Sequence, residues 1–206
     1  DTLGQILEGS ELFRPESREF VDALFLRGQI ASLKGEHDRA IAILTEALDR
    51  YPSDERRLRA RFLLADAYCQ SGLALKEAAK QAVSAGEGAQ IREDYLARLA
   101  EARKLFREVI DAFESRPAPS LDRLEGTYYR HGLLFEADCL FEAMLYADAL
   151  KLYQSAAGTL ADSPAVLATY VQIINCHVFL GQSQDARTAL TRALVQLDRI
   201  PDASFE

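Results

Sequence analysis

Histidine and cysteine are the residue types in this chain that could bind a transition metal, and four of them lie in its second half. They are His131, Cys139, Cys176 and His177. On a helix, the neighbours Cys176 and His177 point about 100° apart, whereas His131 and Cys139, eight residues apart, fall on similar faces. Two helices would have to converge to complete a zinc site. We therefore predict core or groove positions for these residues, and neither a metal nor a cofactor.

Paired carboxylates could act as a general acid and a general base, and two such pairs stand close together in the sequence. Glu36 and Asp38 form one, and Asp54 and Glu55 the other. Both pairs fall at turns between predicted helices, where charges are usually solvated or lie near helix N-termini. The sequence has no Gly-x-Ser-x-Gly elbow, no glycine-rich phosphate loop with a following lysine and no His-Glu-x-x-His pair. We predict that the protein is not an enzyme.

Charge and hydropathy narrow the range of partners. The formal net charge is −8, so nucleic-acid phosphates and an anionic membrane would be repelled at long range. The longest apolar runs are only a few residues, far short of the roughly 20 that a membrane helix needs. We expect no nucleic-acid partner and no membrane insertion. We expect a soluble segment of the cytoplasm or the cell envelope. The sequence begins with Asp1 and not with methionine, as an excised or processed piece would, so a targeting segment cannot be read from it and the compartment stays open.

The three cysteines carry no sign of a disulfide framework. They are odd in number and widely spaced, at Cys69, Cys139 and Cys176. No Cys-x-x-Cys spacing suggests a metal or redox pair. We expect all three to be small apolar residues in helix packing.

Four segments of the chain repeat one pattern that would position any functional side chain. They read AIAILTEALDRY from Ala40, ARKLFREVIDAF from Ala102, ALKLYQSAAGTL from Ala149 and ARTALTRALVQL from Ala186. Each begins with a small residue and continues with a large apolar residue four positions later and further apolar or small residues seven and eight positions later. These offsets place the residues on one side of a helix, so the pattern predicts four amphipathic helices.

A second amphipathic helix precedes each of these segments. At the centre of its apolar face this helix carries a small residue in three of the four cases, Gly28, Ala65 and Ala137. The fourth case is Ile174. A small residue lets two helices approach closely, so we predict that each such helix pairs with the alanine-led helix that follows it. The unequal spacing of the pairs predicts insertions between repeats.

The segment from Val21 to Pro52 resembles a tetratricopeptide repeat. Its matching residues are Leu24, Gly28, Gly35, Ala40, Leu44, Ala47 and Pro52. Further matches are Tyr68, Gly72, Ala102 and Phe106; Ala137, Ala149, Tyr153 and Ala156; and Gly181, Ala186, Leu190 and Ala193. In the third set Met144 stands where a turn glycine is usual. The Tyr-Pro-Ser phrase within Leu48 to Gly72 is similar to the bacterial cell-envelope subset of the family.

The resemblance implies an all-α fold, a right-handed α-solenoid of about four helix-turn-helix repeats with a helical hairpin insertion. We predict a single domain over 1–206. Its predicted parts are an N-terminal cap or partial repeat at 1–15, repeat 1 at 16–52, repeat 2 at 54–116, repeat 3 at 120–162 and repeat 4 at 164–198.

The predicted insertion spans about 73–101, inside repeat 2. It would contain a short helix around Leu75 to Val83, a turn at Gly86-Glu87-Gly88 and a helix of about 24 residues that ends near Phe113. Such a hairpin could serve as a docking or dimerisation element, or it could simply fill space beside the long helix.

The resemblance further implies a non-catalytic protein–protein interaction scaffold or adaptor that binds a peptide segment of a partner on its concave face. In each repeat, the residues of the first helix that do not face the second helix would line this concave face, and these are the expected partner-binding residues. They are Phe25, Gln29, Arg59, Phe62, Asp66, His131, Leu134, Asp138, Phe141, Asn175 and Phe179. The mixture of aromatic and polar groups suits a peptide with apolar anchors. The alternatives are a structural self-assembling homo-oligomer, or a regulatory segment of a larger enzyme or sensor.

Overall fold

The fold is taken from a computed structural model that describes residues 17–82, 84–116 and 123–200. Within these ranges the chain forms eight helices and no strand. The helices are α1 Arg18–Leu33, α2 His37–Arg50, α3 Arg57–Ala79, α4 Ala85–Glu114, α5 Arg123–Glu142, α6 Tyr146–Thr159, α7 Ala165–Phe179 and α8 Ser183–Leu197. The predicted all-α class is confirmed. The predicted N-terminal cap at 1–15 lies outside the described residues.

The chain divides into two compact units, with the boundary between Ala112 and Phe113 near the end of α4. The first unit contains α1 to α3 and nearly all of α4, and the second contains α5 to α8. In each unit, helices that follow one another in sequence pack together, as the helix-pair pattern predicted. None of the helices in the described ranges combines the length and the apolar character that a membrane crossing requires.

The first helix pair shows how sequence sets the packing. Ser17 caps α1, because its Oγ accepts a hydrogen bond from the Phe20 amide at 3.2 Å. Gly28 then faces α2 so closely that a β-carbon built on it would lie 2.5 Å from Leu44 Cδ2 and 2.8 Å from Leu44 Cγ. Glycine at this position therefore allows α2 to press its apolar stripe against α1.

One turn geometry joins three of the helix pairs. After α1, the Gly35 amide donates to the Ser32 carbonyl and the Glu36 amide to the Ala31 carbonyl. This pair of bonds is the Schellman motif, which requires a left-handed residue after the helix. The same two bonds recur after α5 and α7, where the left-handed residues are Met144 and Gly181. Their φ angles are +71° at Gly35, +64° at Met144 and +74° at Gly181.

The alanine-led stripes form the centre of each unit. Ala40, Ala102 and Ala149 are fully buried. In the second unit, Ala149 and Tyr153 of α6 share one apolar cluster with Ala137 of α5 and Ile173 and Cys176 of α7. The predicted stripes of α2 and α6 therefore face the helices that precede and follow them. Cys69, Cys139 and Cys176 are all buried in the helix packing, as the sequence indicated.

The predicted hairpin insertion is formed by extensions of α3 and α4. The 23 residues of α3 run without a break through Gly72 to Ala79, and α4 has 30 residues and begins at Ala85. Gly72 is not a turn residue, since it lies within α3 in contact with Leu99 of α4, at 3.4 Å from an ideal β-carbon. The turn predicted at Gly86-Glu87-Gly88 was wrong by a few residues, because these residues form the first turn of α4.

A polar network ties the base of this hairpin to the first helix pair. Asp38 of α2 accepts hydrogen bonds from Ser71 Oγ of α3 at 3.1 Å and from Arg98 Nη1 of α4 at 2.6 Å. The hydrogen bond from Arg98 is the main reason that the pKa of Asp38 is lowered. On the same two long helices, Arg61 Nε lies 3.2 Å from Glu108 Oε2. These bonds connect α2, α3 and α4 at the base of the hairpin.

Candidate functional site

A pocket opens between the N-terminal parts of α1 and α3 in the first unit, and we call it the α1–α3 pocket. Its volume is about 180 Å³. Phe25, Gln29 and Arg59, three of the predicted partner-binding residues, line it. The other lining residues are Asp22, Leu26, Leu44, Arg56, Ala60 and Leu63. An apolar floor with a few polar groups at its edge is the usual composition of a binding site.

Arginine dominates the charge around this pocket. Arg56 bonds to both carboxylate oxygens of Asp54, at 2.8 and 2.9 Å, and reaches Asp22 at 2.6 Å. Its guanidinium also lies over the Phe25 ring, 4.7 Å from the centroid. The pKa of Asp54 is lowered, mainly by the hydrogen bond from Arg56. The rim is thus a fixed ion-pair network.

Arg59 differs from Arg56 in one respect that bears on binding. Its Nε is buried and has no hydrogen-bond partner among the residues that the structure describes. A buried N–H donor without a partner costs about 1–3 kcal/mol, so native proteins rarely leave one unsatisfied. Arg59 therefore lines the pocket with a donor that no described residue uses.

Two further predicted residues of the first unit do not line the pocket. Phe62 is 6% exposed and packs edge-on against Phe106 of α4, with ring centroids 5.5 Å apart. Asp66 lies beyond it on α3 and accepts a hydrogen bond from Gln70 at 3.4 Å. Phe62 is thus part of the helix packing.

Phe141 and Phe179, predicted from separate repeats, meet in the second unit. Their ring centroids are 5.6 Å apart. Tyr146 joins them, lying 5.2 Å from Phe141 and stacked on Phe179 at 4.7 Å with 10° between the planes. Phe179 is exposed. This aromatic cluster, formed by Phe141, Tyr146 and Phe179, presents a partly open π-surface at the turn end of α5 and α7.

The remaining predicted residues of the second unit lie apart from one another. His131 packs against Phe135 with ring centroids 5.6 Å apart, and Leu134 packs on the apolar cluster around Leu160 and Val166. Asn175 donates a hydrogen bond to Gln172 Oε1 at 3.0 Å. Nothing in these contacts brings His131, Leu134 and Asn175 into one site.

Asp138 is held in an unusual environment for a carboxylate. It is half-buried, and it accepts a hydrogen bond from the hydroxyl of Tyr153 on α6. Burial raises the pKa of Asp138, although the Tyr153 bond opposes that shift. Burial, followed by the nearby Asp138 charge, raises the pKa of the Cys176 thiol to about 11. Cys176 is thus a thiol at neutral pH, which makes it a poor nucleophile.

The groups first considered for chemistry are spread through the fold. Across residues 17–82, 84–116 and 123–200, no group of three or more His, Cys, Asp or Glu side chains is placed to hold a metal ion. Glu36 pairs with Arg39 at 2.9 Å, while Asp38 and Asp54 belong to the arginine networks described above. Each of these carboxylates thus has a structural partner.

Sequence reasoning missed Arg56 and Asp22 at the pocket and Tyr146 in the aromatic cluster. Arg56 lies at the turn before α3, outside the helical register that gave the prediction. The run of arginines from Arg56 to Arg61 in an acidic protein was the available signal. Tyr146 is the first residue of α6, where the repeat pattern assigns no role.

The fold is that of a helical-hairpin repeat protein, and residues of α1 and α3 line a small pocket in its first unit. A family model described as tetratricopeptide repeat matches residues 10–55, which include α1 and α2. Residues 10–55 thus match the tetratricopeptide repeat, as the resemblance of Val21 to Pro52 implied.

Several solved structures are similar over nearly the whole chain. The TPR-like repeats of a Podosopora anserina protein of the kinesin light chain type are 16% identical, with 91% of this chain and 98% of that chain covered and a TM-score of 0.45. BtubC (BKLC) from P. vanneervenii is 14% identical, with coverages of 96% and 89% and a TM-score of 0.40. MamA AMB-1 is 14% identical, with coverages of 90% and 100% and a TM-score of 0.38. No curated protein matches the chain. At this distance these similarities assign neither a partner nor an activity.

Proposed function

We propose that this chain is a non-catalytic scaffold that binds a peptide segment of a partner protein in the α1–α3 pocket. The observation that carries the proposal is the unpartnered Nε of Arg59, buried at the edge of an apolar floor. A peptide that inserts an apolar side chain and presents a carboxylate beside it would satisfy both features.

The volume of the pocket limits what it can accept. At about 180 Å³ it is smaller than the 300–1,000 Å³ or so of sites for drug-sized ligands, and close to the ~150 Å³ cavity that holds one benzene. One leucine or phenylalanine side chain is thus the expected anchor. Leu26 is exposed and Leu63 is partly buried, and both lie where the rest of the peptide would pass.

Charge favours an acidic segment. Arg56, Arg57, Arg59 and Arg61 stand within six residues of a chain whose net charge is −8. The first turn of α3 adds the partial positive charge of a helix N-terminus. Asp54 and Asp22 neutralise Arg56, but Arg59 carries no such pairing among the described side chains. A partner carboxylate near Arg59 would gain a charge-assisted hydrogen bond.

The test is binding to an array of fluorescent peptides of about 15 residues, each with one leucine or phenylalanine next to an aspartate, compared with matched peptides that carry asparagine or lysine instead. We expect binding that requires the aspartate. Arg59→Gln should weaken it about tenfold or more, as loss of a charge-assisted bond would, without lowering thermal stability.

Arg92→Gln is the matched control, because Arg92 lies exposed on α4 and the substitution changes the net charge equally. It should leave binding unchanged. Absence of binding to any acidic peptide, or equal losses for both variants, would contradict the proposal.

A further inference from the structure

The fourth repeat leaves uncovered the apolar stripe that the other repeats bury. The residue four positions after the leading alanine is Leu44 in α2, Phe106 in α4 and Tyr153 in α6, and each is 0% exposed. Its counterpart in α8, Leu190, is 50% exposed. In α2 and α6 this stripe packs against the next helix, α3 or α7. In the part of the chain that the structure describes, no such following helix covers α8.

The exposed residues of α8 form one continuous surface. Leu190, Leu194 and Leu197 fall within about 60° of one another around the helix, and they are 50%, 55% and 45% exposed. We call this surface the α8 stripe. Isolated exposed apolar residues are normal, but a contiguous stripe of this kind marks an interaction surface.

Opposite charges stand at the two ends of the α8 stripe. Arg187 precedes Leu190 by three residues and Asp198 follows Leu194 by four, so both fall on the same side of the helix as the leucines. Both are exposed, and neither has an ion pair or side-chain hydrogen bond among the described residues. The stripe is therefore apolar in the middle, positive at one end and negative at the other.

We propose that the occupant of the α8 stripe is a second copy of this chain, with the two α8 helices packed antiparallel about a two-fold axis. An axis between Arg192 and Ala193 brings Arg187 of each copy opposite Asp198 of the other. A parallel arrangement would instead align like charges, so the charge pattern favours the two-fold, self-complementary pairing.

The contact should be modest in strength. Each copy contributes three half-exposed apolar side chains and two charges from a helix of 15 residues. Such a surface is smaller than a standard stable interface, so we expect a reversible dimer with a dissociation constant on the order of 10–100 μM.

The test is sedimentation equilibrium of the full 206-residue chain from low to high concentration, with charge-reversal variants. The wild type should pass from monomer to dimer. Arg187→Glu and Asp198→Arg should each weaken dimerisation about tenfold or more, because each places like charges opposite one another at both ends. Circular dichroism should show both variants folded, since the changed side chains are exposed.

Mixing the two variants gives the discriminating result. In the mixed pair, the introduced glutamate of one chain faces the introduced arginine of the other, while the native Arg187 and Asp198 still face each other. Dimerisation should return to the wild-type level only on mixing. A wild type that stays monomeric at millimolar concentration, or variants that dimerise as well alone as mixed, would overturn the proposal. Either outcome leaves the α1–α3 pocket of the first unit as a separate question.

Discussion

Replacing Gly28 by alanine tests whether close helix approach, and not backbone freedom, is the reason for glycine at this position. Gly28 lies inside α1, and an added methyl group would meet Leu44 Cγ at 2.8 Å and Ile43 Cγ2 at 3.4 Å. Leu44 is fully buried and cannot move aside freely. Overpacking costs about 1–3 kcal/mol, and contacts of 2.5 and 2.8 Å to a fully buried side chain belong to the upper part of that range, about 2–3 kcal/mol, whereas alanine regains only about 1 kcal/mol of helix propensity.

We therefore expect Gly28→Ala to lower the free energy of unfolding by about 1–2 kcal/mol. The assay is urea unfolding followed by far-ultraviolet circular dichroism. Gly88→Ala is the matched control in the same unit, because its added methyl would make only ordinary contact with Ala82 Cβ at 3.5 Å. That variant should gain about 0.5–1 kcal/mol from helix propensity.

A double-mutant cycle identifies the cause. Leu44→Ala alone should cost about 2–5 kcal/mol, as emptying a buried site does. In the Gly28→Ala background the same change should cost about 1–2 kcal/mol less, since the added methyl then fills part of the space. If Gly28→Ala is as stable as the wild type, or if the two changes are additive, the close-approach argument is refuted.

Two further predictions concern the second unit. Asp138→Asn should raise the free energy of unfolding by about 1 kcal/mol near neutral pH, because asparagine still accepts the Tyr153 hydrogen bond without burying a charge. Since the folded-state pKa of Asp138 is raised, the charge-burial cost is present above that pKa and disappears below it, so urea titrations from about pH 7 to about pH 4 should show the advantage shrinking. Gly181→Ala should cost about 1–2 kcal/mol in thermal or urea unfolding, because its φ of +74° is strained for any residue with a β-carbon.

The helix pairs could be predicted from the sequence because their packing follows from short, regular spacings. The alanine that begins each stripe recurs at a fixed place in the pattern, and so does the small residue in three of the four preceding helices. Gly35 and Gly181 lie at the predicted turns. Met144 adopts the same left-handed turn with φ +64°. The two backbone bonds from Met144 and Leu145 to α5 hold that turn, so a glycine there is favourable but not required.

The hairpin could be predicted in existence but not in detail. A glycine serves either a turn or a close contact, and the residues around Gly72 did not distinguish the two. The structure uses Gly72 for contact with Leu99, and α3 continues for seven more residues to Ala79. Which use applies depends on α4, a helix distant in sequence, and local spacing carries no information about it.

The candidate site was predictable only in part. Helical periodicity predicts Phe25, Gln29 and Arg59. These residues lie on the side of their helix next to the one that faces the second helix of the repeat. The rim depends on Arg56 reaching Asp22, 34 residues away in sequence. Such an ion pair is a property of tertiary packing, so the register alone could not indicate it.

The depth to which each stripe is buried follows the size of the residue that faces it from the first helix. Where that residue is Gly28 or Ala137, the facing Leu44 or Tyr153 is completely buried. In the fourth repeat the position is Ile174, which is only partly buried, and α8 packs on α7 through its small residues Ala186 and Ala189. A bulky residue at the close-approach position holds the large side chains of the next helix outward. In the described part of the chain α8 also lacks a following helix, so both features of the fourth repeat leave its leucines exposed, where a second chain can pack.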